Sequence, residues 1–458
     1  MGITTTIESF FKKVLPSPFV ITVLLTLLTI FIAFFFTEAP TKKNHFLTIL
    51  SYWESGIWNN NLLVFAYQMM LILVLGHILV LSKPLDALIM KLTSGVTNTG
   101  NAFLLVSVAT LLVSFFNWGL GLIFVAILAR KVARSAQLRG FKINCLLVGA
   151  SGYVGLMIWH GGISGSVPLK VAERVHLASL MSVVSTPELI AQVPDSIAFD
   201  QTVSSSFNLM LFSILLILIP AVLYFIGKRV GVTPANLSVY KNPIQTTQNA
   251  SGTEKLDTSN ILGIGFGTLV LAAFFYQYFN AIGSLAITPN LLNFFVLGLA
   301  LVLHKNFASF LSAHFEAIKG ASGILIQFPL YFGIMGIMKK SGRVVQISDF
   351  FVSIATTRTL PILTSFSAGL ANIFVPSDGG QSAIQGPIVI ESALKLGVPL
   401  PKMILALSYG DQITNMLQPF WALPLLGITQ LKAREILPYI LVLMLVGVFV
   451  FVTGLLLF

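Results

Sequence analysis

Cysteine is nearly missing from this chain: its 458 residues hold one, Cys145, inside an apolar run. A single thiol excludes an internal disulfide and any cysteine-ligated metal cluster. Charge is scarce too. Asp, Glu, Lys and Arg make up 9% of the residues, against about a quarter in soluble proteins, which excludes a soluble globular domain. No phosphate-binding loop of the GxxxxGK[ST] type occurs, so energy for any work is expected from a gradient rather than from ATP. The strict alternation of barrel strands is also absent.

What is present is hydrophobic length. Residues of apolar type make up 56% of the chain, and the mean hydropathy is +0.90. Runs such as residues 59–81 supply the roughly 20 apolar residues that a helix needs to cross the hydrocarbon core. The expected fold class is all-α and polytopic, with the lipid bilayer as partner. The net charge of +11 does not point to nucleic acid. The cations flank apolar runs (Lys12–Lys13, the Arg130–Lys142 segment, Lys228–Arg229) as the positive-inside rule expects, which places the N-terminus in the cytoplasm. Residues 18–36 are too long for a signal peptide and lack a cleavage site after them, so they read as a retained first span.

Two polar stretches interrupt this apolar background. NWGLG at 117–121 and SGYVGLMIWHGGISGSVP at 151–168 are echoed by NIFVPSDGGQSAIQGP at 372–387 and SYGDQITNMLQPFWALP at 408–424. Asn117 and Asn372 lie 255 positions apart, and Tyr153/Tyr409 and Pro168/Pro424 lie 256 apart. Polar, Gly- and Pro-broken membrane segments recurring at one offset mark a duplicated carrier with its site between the halves. The expected architecture is an inverted-topology repeat with two re-entrant hairpins and two broken transmembrane helices. The division is residues 1–227 as the first repeat, 228–260 as a cytoplasmic linker, and 261–458 as a linker helix plus the second repeat.

The hairpin tips are expected at Asn117–Gly119 and Val375–Gly380, and the helix breaks at His160–Ser166 and near Asn415–Pro419. Residues 37–57 and 83–91 read as loops, 171–205 as an external loop, and 320–338 as a span. Lys339, Lys340 and Arg343 would then lie outside, against the charge rule.

Broken helices expose free N–H groups at one end and carbonyls at the other, which suit a carboxylate and a cation respectively. The candidate substrate-binding residues are Asn117, Trp118, Gly119, His160, Gly161, Gly162, Ser164, Ser166, Ser377, Gly379, Gly380, Gln381, Asn415 and Gln418. Asp378 and Asp411 are the candidate coupling residues. A carboxylate within the membrane costs about 3 kcal/mol even on the lenient insertion scale, and a cation or proton would offset that. No cofactor is expected beyond Na⁺ or H⁺ as the coupling ion. Gly162-Ile163-Ser164-Gly165 also matches the GxSG of an intramembrane serine protease, with His77, His304 and His314 as candidate bases.

NWGLG at 117–121, GGISGSVPL at 161–169, QFPLYFGIMGIM at 327–338, VPSDGGQSAIQGP at 375–387 and SYGDQITNMLQPFWALP at 408–424 resemble the bacterial short-chain fatty acid transporter family. The resemblance covers essentially the whole chain, from LPSPFVITVLLTLLTI at 15–30 onward. It implies secondary transport of monocarboxylates such as acetoacetate or butyrate across the inner membrane, within the ion-transporter superfamily, with elevator-like motion and a homodimer as the common assembly. It implies no enzymatic activity. A C4-dicarboxylate carrier is the alternative substrate reading. No arginine clamp accompanies the polar clusters, which favours one carboxylate over two.

Overall fold

The computed structural model describes residues 16–38, 44–173, 176–181, 190–232, 252–283, 288–376 and 378–458. The expected lead-in with Lys12–Lys13, most of the linker 228–260, Glu188 and Ser377 lie outside the described residues. Among those described, helices and turns account for the whole fold and no strand occurs.

The described residues open with α1 (Pro18–Phe36), α2 (His45–Ile57) and α3 (Asn60–Leu81). Asn44 and Asn59 cap α2 and α3 through their side-chain oxygens, a standard role for asparagine at a helix start. Residues 45–57 are therefore helix, where the sequence reading expected loop. The physical reason is a tight crossing: Gly56, Gly333 and Gly336 leave no room for a Cβ, so the backbones meet and α2 becomes part of the bundle. Residues 83–91 are likewise helical, as α4 (Lys83–Leu92).

A hairpin follows, formed by α5 (Thr99–Phe116) and α6 (Trp118–Leu138) with Asn117 between them. The first broken helix comprises α7 (Cys145–Ser151), a single 3₁₀ turn at Val154–Met157, and α8 (Ser166–Ala172). Residues 171–205 are not simply loop, for they include α9 (His176–Met181). The half ends with α10 (Ser206–Arg229).

After the linker, α11 (Asn260–Gly283) precedes a second series. That series has α12 (Pro289–His304), α13 (Phe307–Lys340) and α14 (Arg343–Ser353). A second hairpin follows, α15 (Leu360–Phe374) and α16 (Asp378–Leu396). The second broken helix is α17 (Leu400–Asn415) and α18 (Pro419–Thr429), and α19 (Ala433–Leu457) closes the chain. The element order of the first half thus recurs after α11: scaffold helices, a short amphipathic helix, a hairpin, a broken helix and a last span.

One scaffold element is longer than the sequence suggested. α13 runs for 34 residues, about 51 Å at 1.5 Å per residue, whereas only 320–338 was expected. The polar Asn306–Lys319 stretch conceals its first half, which Asn306 caps. At its far end, Lys340 donates to Ser55 Oγ at 2.6 Å and Arg343 lies over the Phe36 ring. The unexpected cations therefore gather at the end of the bundle where α1 finishes.

Six helices among the described residues, including α1, α3, α5, α10, α11 and α19, are long and apolar enough to cross a membrane. Their outward faces carry large exposed apolar side chains such as Leu27, Ile217, Leu269 and Phe449, as a chain solvated by lipid requires.

Candidate functional site

The two breaks face each other at the centre of the bundle. The Tyr153 hydroxyl donates to the Gln418 carbonyl at 3.0 Å, and the Gly161 N–H donates to Gln412 Oε1 at 3.0 Å. Each break is also tied to its own hairpin. In the first half, the Ile163 N–H donates to the Phe115 carbonyl and the Trp118 N–H to Ser164 Oγ at 2.8 Å. In the second half, Gln418 Nε2 donates to the Asn372 carbonyl at 2.5 Å. Unwound backbone has lost its helical partners, and these bonds satisfy the groups set free.

The polar centre is built on Asp411, which is 1% exposed. Asn415 Nδ2 donates to Asp411 Oδ1 at 3.0 Å and lies 3.1 Å from His160 Nε2. His160 Nε2 is itself 3.4 Å from the same carboxylate oxygen. Asn372 Nδ2 faces three acceptors, namely Asn415 Oδ1, the Asp411 carbonyl and Thr414 Oγ1. The last turn of α15 in the second hairpin, the second break and the first break are thereby joined in one buried network.

That network leaves oxygens over. Asp411 Oδ2, Asn372 Oδ1 and Gln418 Oε1 are buried and accept no hydrogen bond. Buried polar atoms are nearly always paired, and oxygens of this kind beside a carboxylate are ones that a monovalent cation or a proton could engage. Beside them stands an aromatic wall from both halves. Trp159 and Trp421 meet edge to face at 4.7 Å between centroids, and Trp118 packs on both at 5.8 and 5.9 Å.

Of the residues expected from the sequence, His160, Asp411, Asn415 and Gln418 come together. Asn117, Trp118 and Ser164 form the first tip and its contact. Gly161 and Gly162 are buried within the first break, and at Gly162 a Cβ would strike the Phe115 carbonyl. Ser166 opens α8 and is half-buried. Gln381 stands apart from the Asp411 network, within the second hairpin. It donates to the Ala368 carbonyl and to Gln385 Oε1, and Gln385 donates in turn to Ser367. Gly119 is the second residue of α6, and Asp378, Gly379 and Gly380 are the first three of α16.

Sequence reasoning passed over several partners. Asn372 and Gln412 lay in the polar stretch but had no assigned role. Asn208 was not considered, although it is the one carboxamide in the apolar run 206–227. Its Nδ2 donates to the carbonyls of Gly161 and Val203, and its Oδ1 accepts from the Tyr409 hydroxyl at 2.8 Å. A lone polar side chain in a membrane span was the available signal.

The protease reading finds no support in this geometry. Ser164 Oγ is engaged by a backbone N–H. His304 is held between Ser309 and the Ile78 carbonyl, His77 lines a small pocket with Arg130 and Arg134, and His314 packs on Phe315.

The family profile described as short chain fatty acid transporter matches residues 1–458. A protein of Escherichia coli (strain K12), provisionally named a short-chain fatty acid transporter, is 35% identical over 462 residues, 98% of each chain. Its provisionally so-named counterpart in Haemophilus influenzae is 33% identical over 456 residues, covering 98% of this chain and 97% of that one. Two solved transporters are distantly similar. The YdaH transporter of Alcanivorax borkumensis gives a TM-score of 0.44 at 15% identity over 96% of this chain and 97% of that one. The MtrF efflux pump of Neisseria gonorrhoeae gives 0.42 at 14% over 98% and 97%.

Proposed function

This chain belongs to the short chain fatty acid transporter family, a family of multi-pass membrane transporters rather than enzymes, and from that premise we propose a secondary carrier that moves a short monocarboxylate together with Na⁺ or H⁺. Acetoacetate and butyrate are substrates of the right size and charge. The observation that carries the coupling is the trio of unsatisfied buried oxygens around Asp411. A cation bound there offsets the carboxylate's cost and completes the coordination of Asn372 and Gln418.

The N-terminal turn of α18, which opens into the break at Gln418, suits the substrate carboxylate through its free N–H groups. The Trp118–Trp159–Trp421 wall suits a short alkyl chain. Among the described side chains of this centre stands no Lys or Arg, so one carboxylate is better served than two. Asn117, Gly119, Gly161, Gly162, Ser164 and Ser166 line the substrate side in this reading. Gln381 braces the second hairpin, and Asp378, Gly379 and Gly380 open α16 within it. Residues 1–227 and 261–458 act as the two repeats, the membrane is the bacterial inner membrane, the N-terminus is cytoplasmic, and a homodimer is the assembly.

The test is uptake of labelled butyrate into proteoliposomes under separately imposed Na⁺ and proton gradients, with succinate in parallel. Uptake driven by one gradient and lost in Asp411→Asn is expected. Succinate uptake without butyrate uptake would move the protein to the dicarboxylate reading, and transport of neither would sink the substrate assignment.

A further inference from the structure

The two halves can be aligned from their closest helix crossings rather than from sequence alone. In the first half, Gly155 sits against Thr110 and Ser114 with no room for a Cβ. In the second half, Gly410 sits against Ser365 in the same way, and Gly369 packs on Gly410 and Thr414. Thr110 to Ser365, Ser114 to Gly369 and Gly155 to Gly410 are each a step of 255 residues. Asn117 to Asn372 is the same step.

Applied to the coupling network, this register gives unequal partners. Asp411 corresponds to Leu156, Gln412 to Met157, Thr414 to Trp159, Asn415 to His160 and Gln418 to Ile163. Leu156, Met157 and Trp159 are fully buried in the main apolar core. The first half therefore presents hydrocarbon and indole where the second half presents the Asp411 carboxylate, Thr414 and the carboxamides of Gln412 and Gln418. Its polar counterparts are Asn117, which matches Asn372, and His160, which turns across the boundary to Asn415 and Asp411 of the other half.

From this asymmetry we infer that the duplicated fold holds one cation site instead of two, so that each turnover carries one monovalent cation with one monocarboxylate and moves no net charge. The inference rests on the symport reading above. Asp411 stays with the protein in the loaded and empty states, so its charge cancels over the cycle, leaving +1 from the cation and −1 from the substrate.

The experiment is cation-driven butyrate uptake in proteoliposomes whose membrane potential is clamped with K⁺ and valinomycin. One uncompensated charge moved across 100 mV would change the accumulation ratio about fifty-fold. The expected result is an accumulation ratio unchanged, within twofold, between 0 and −100 mV, with a Hill coefficient near 1 for the driving cation. A potential-dependent ratio, or a Hill coefficient near 2, overturns the inference while leaving symport intact. A coefficient of 2 that falls to 1 in Asp378→Asn would put the second cation at the start of α16 and overturn it equally. Absence of cation-driven uptake overturns the symport reading and this inference with it.

Discussion

Asp411 and Asn208 show how two buried polar side chains in the same membrane protein can differ in purpose. Asp411 keeps one oxygen bound and one free, whereas the donor and acceptor ends of Asn208 are both spent on the fold. Their substitutions should separate accordingly. Asp411→Asn is expected to lose gradient-driven uptake by at least about tenfold, equivalent to roughly 1.4 kcal/mol of coupling, while its detergent melting temperature stays the same or rises. Asn208→Leu strands the Gly161 and Val203 carbonyls and the Tyr409 hydroxyl. Each stranded buried group costs about 1–3 kcal/mol, so a clear drop in melting temperature is expected. A stable, fully active Asn208→Leu protein would contradict that assignment.

At the level of helices and hairpins, close approach sets the geometry. Gly155→Ala would drive a methyl group into Ser114, and a drop in melting temperature together with lost uptake is predicted. The second half offers its own remedy, since the counterpart of Ser114 there is Gly369. Ser114→Gly in the Gly155→Ala background should recover at least half of the lost stability, a non-additive result that a double-mutant cycle reads directly.

The same scale shows what could be read from the chain beforehand. Both hairpins, both breaks and the spans α1, α3, α10 and α19 were legible, because their apolar runs are long and their interruptions carry Gly, Pro and Asn. The helices α2 and α4 and the first half of α13 were not, because polar residues such as Glu54, Lys83 and Glu316 dilute their hydrophobicity. What makes them helical is packing between elements, and no local pattern announces that. The buried polar cluster proposed as the site was legible at His160, Asp411, Asn415 and Gln418 for the cost of burying polar groups in a membrane. Asn372's carboxamide finds its partners 39 to 43 residues further on and Trp421 meets Trp159 of the other half, and which segments meet is something pattern alone does not give.

For the whole molecule, the fold ties orientation to chemistry. If the N-terminus is cytoplasmic, as proposed above, the cluster of Lys339, Lys340 and Arg343 faces outward, because it shares an end with Phe36 at the close of α1. In a Cys145→Ser background, Lys339→Cys in intact cells should react with a membrane-impermeant thiol reagent. Glu254→Cys, which precedes α11, should react only after the cells are opened. The reverse pattern would invert the topology and place the positive cluster inside.

The meeting of Trp118, Trp159 and Trp421 also gives the protein an optical property. They are three of its five tryptophans, their rings lie within 6 Å of one another, and they come from a hairpin and from both breaks. Excitation will pass among them, so the intrinsic ultraviolet emission of this carrier is weighted toward its own centre. Any shift of one tip against the other should register as a change in brightness or colour, with no label attached.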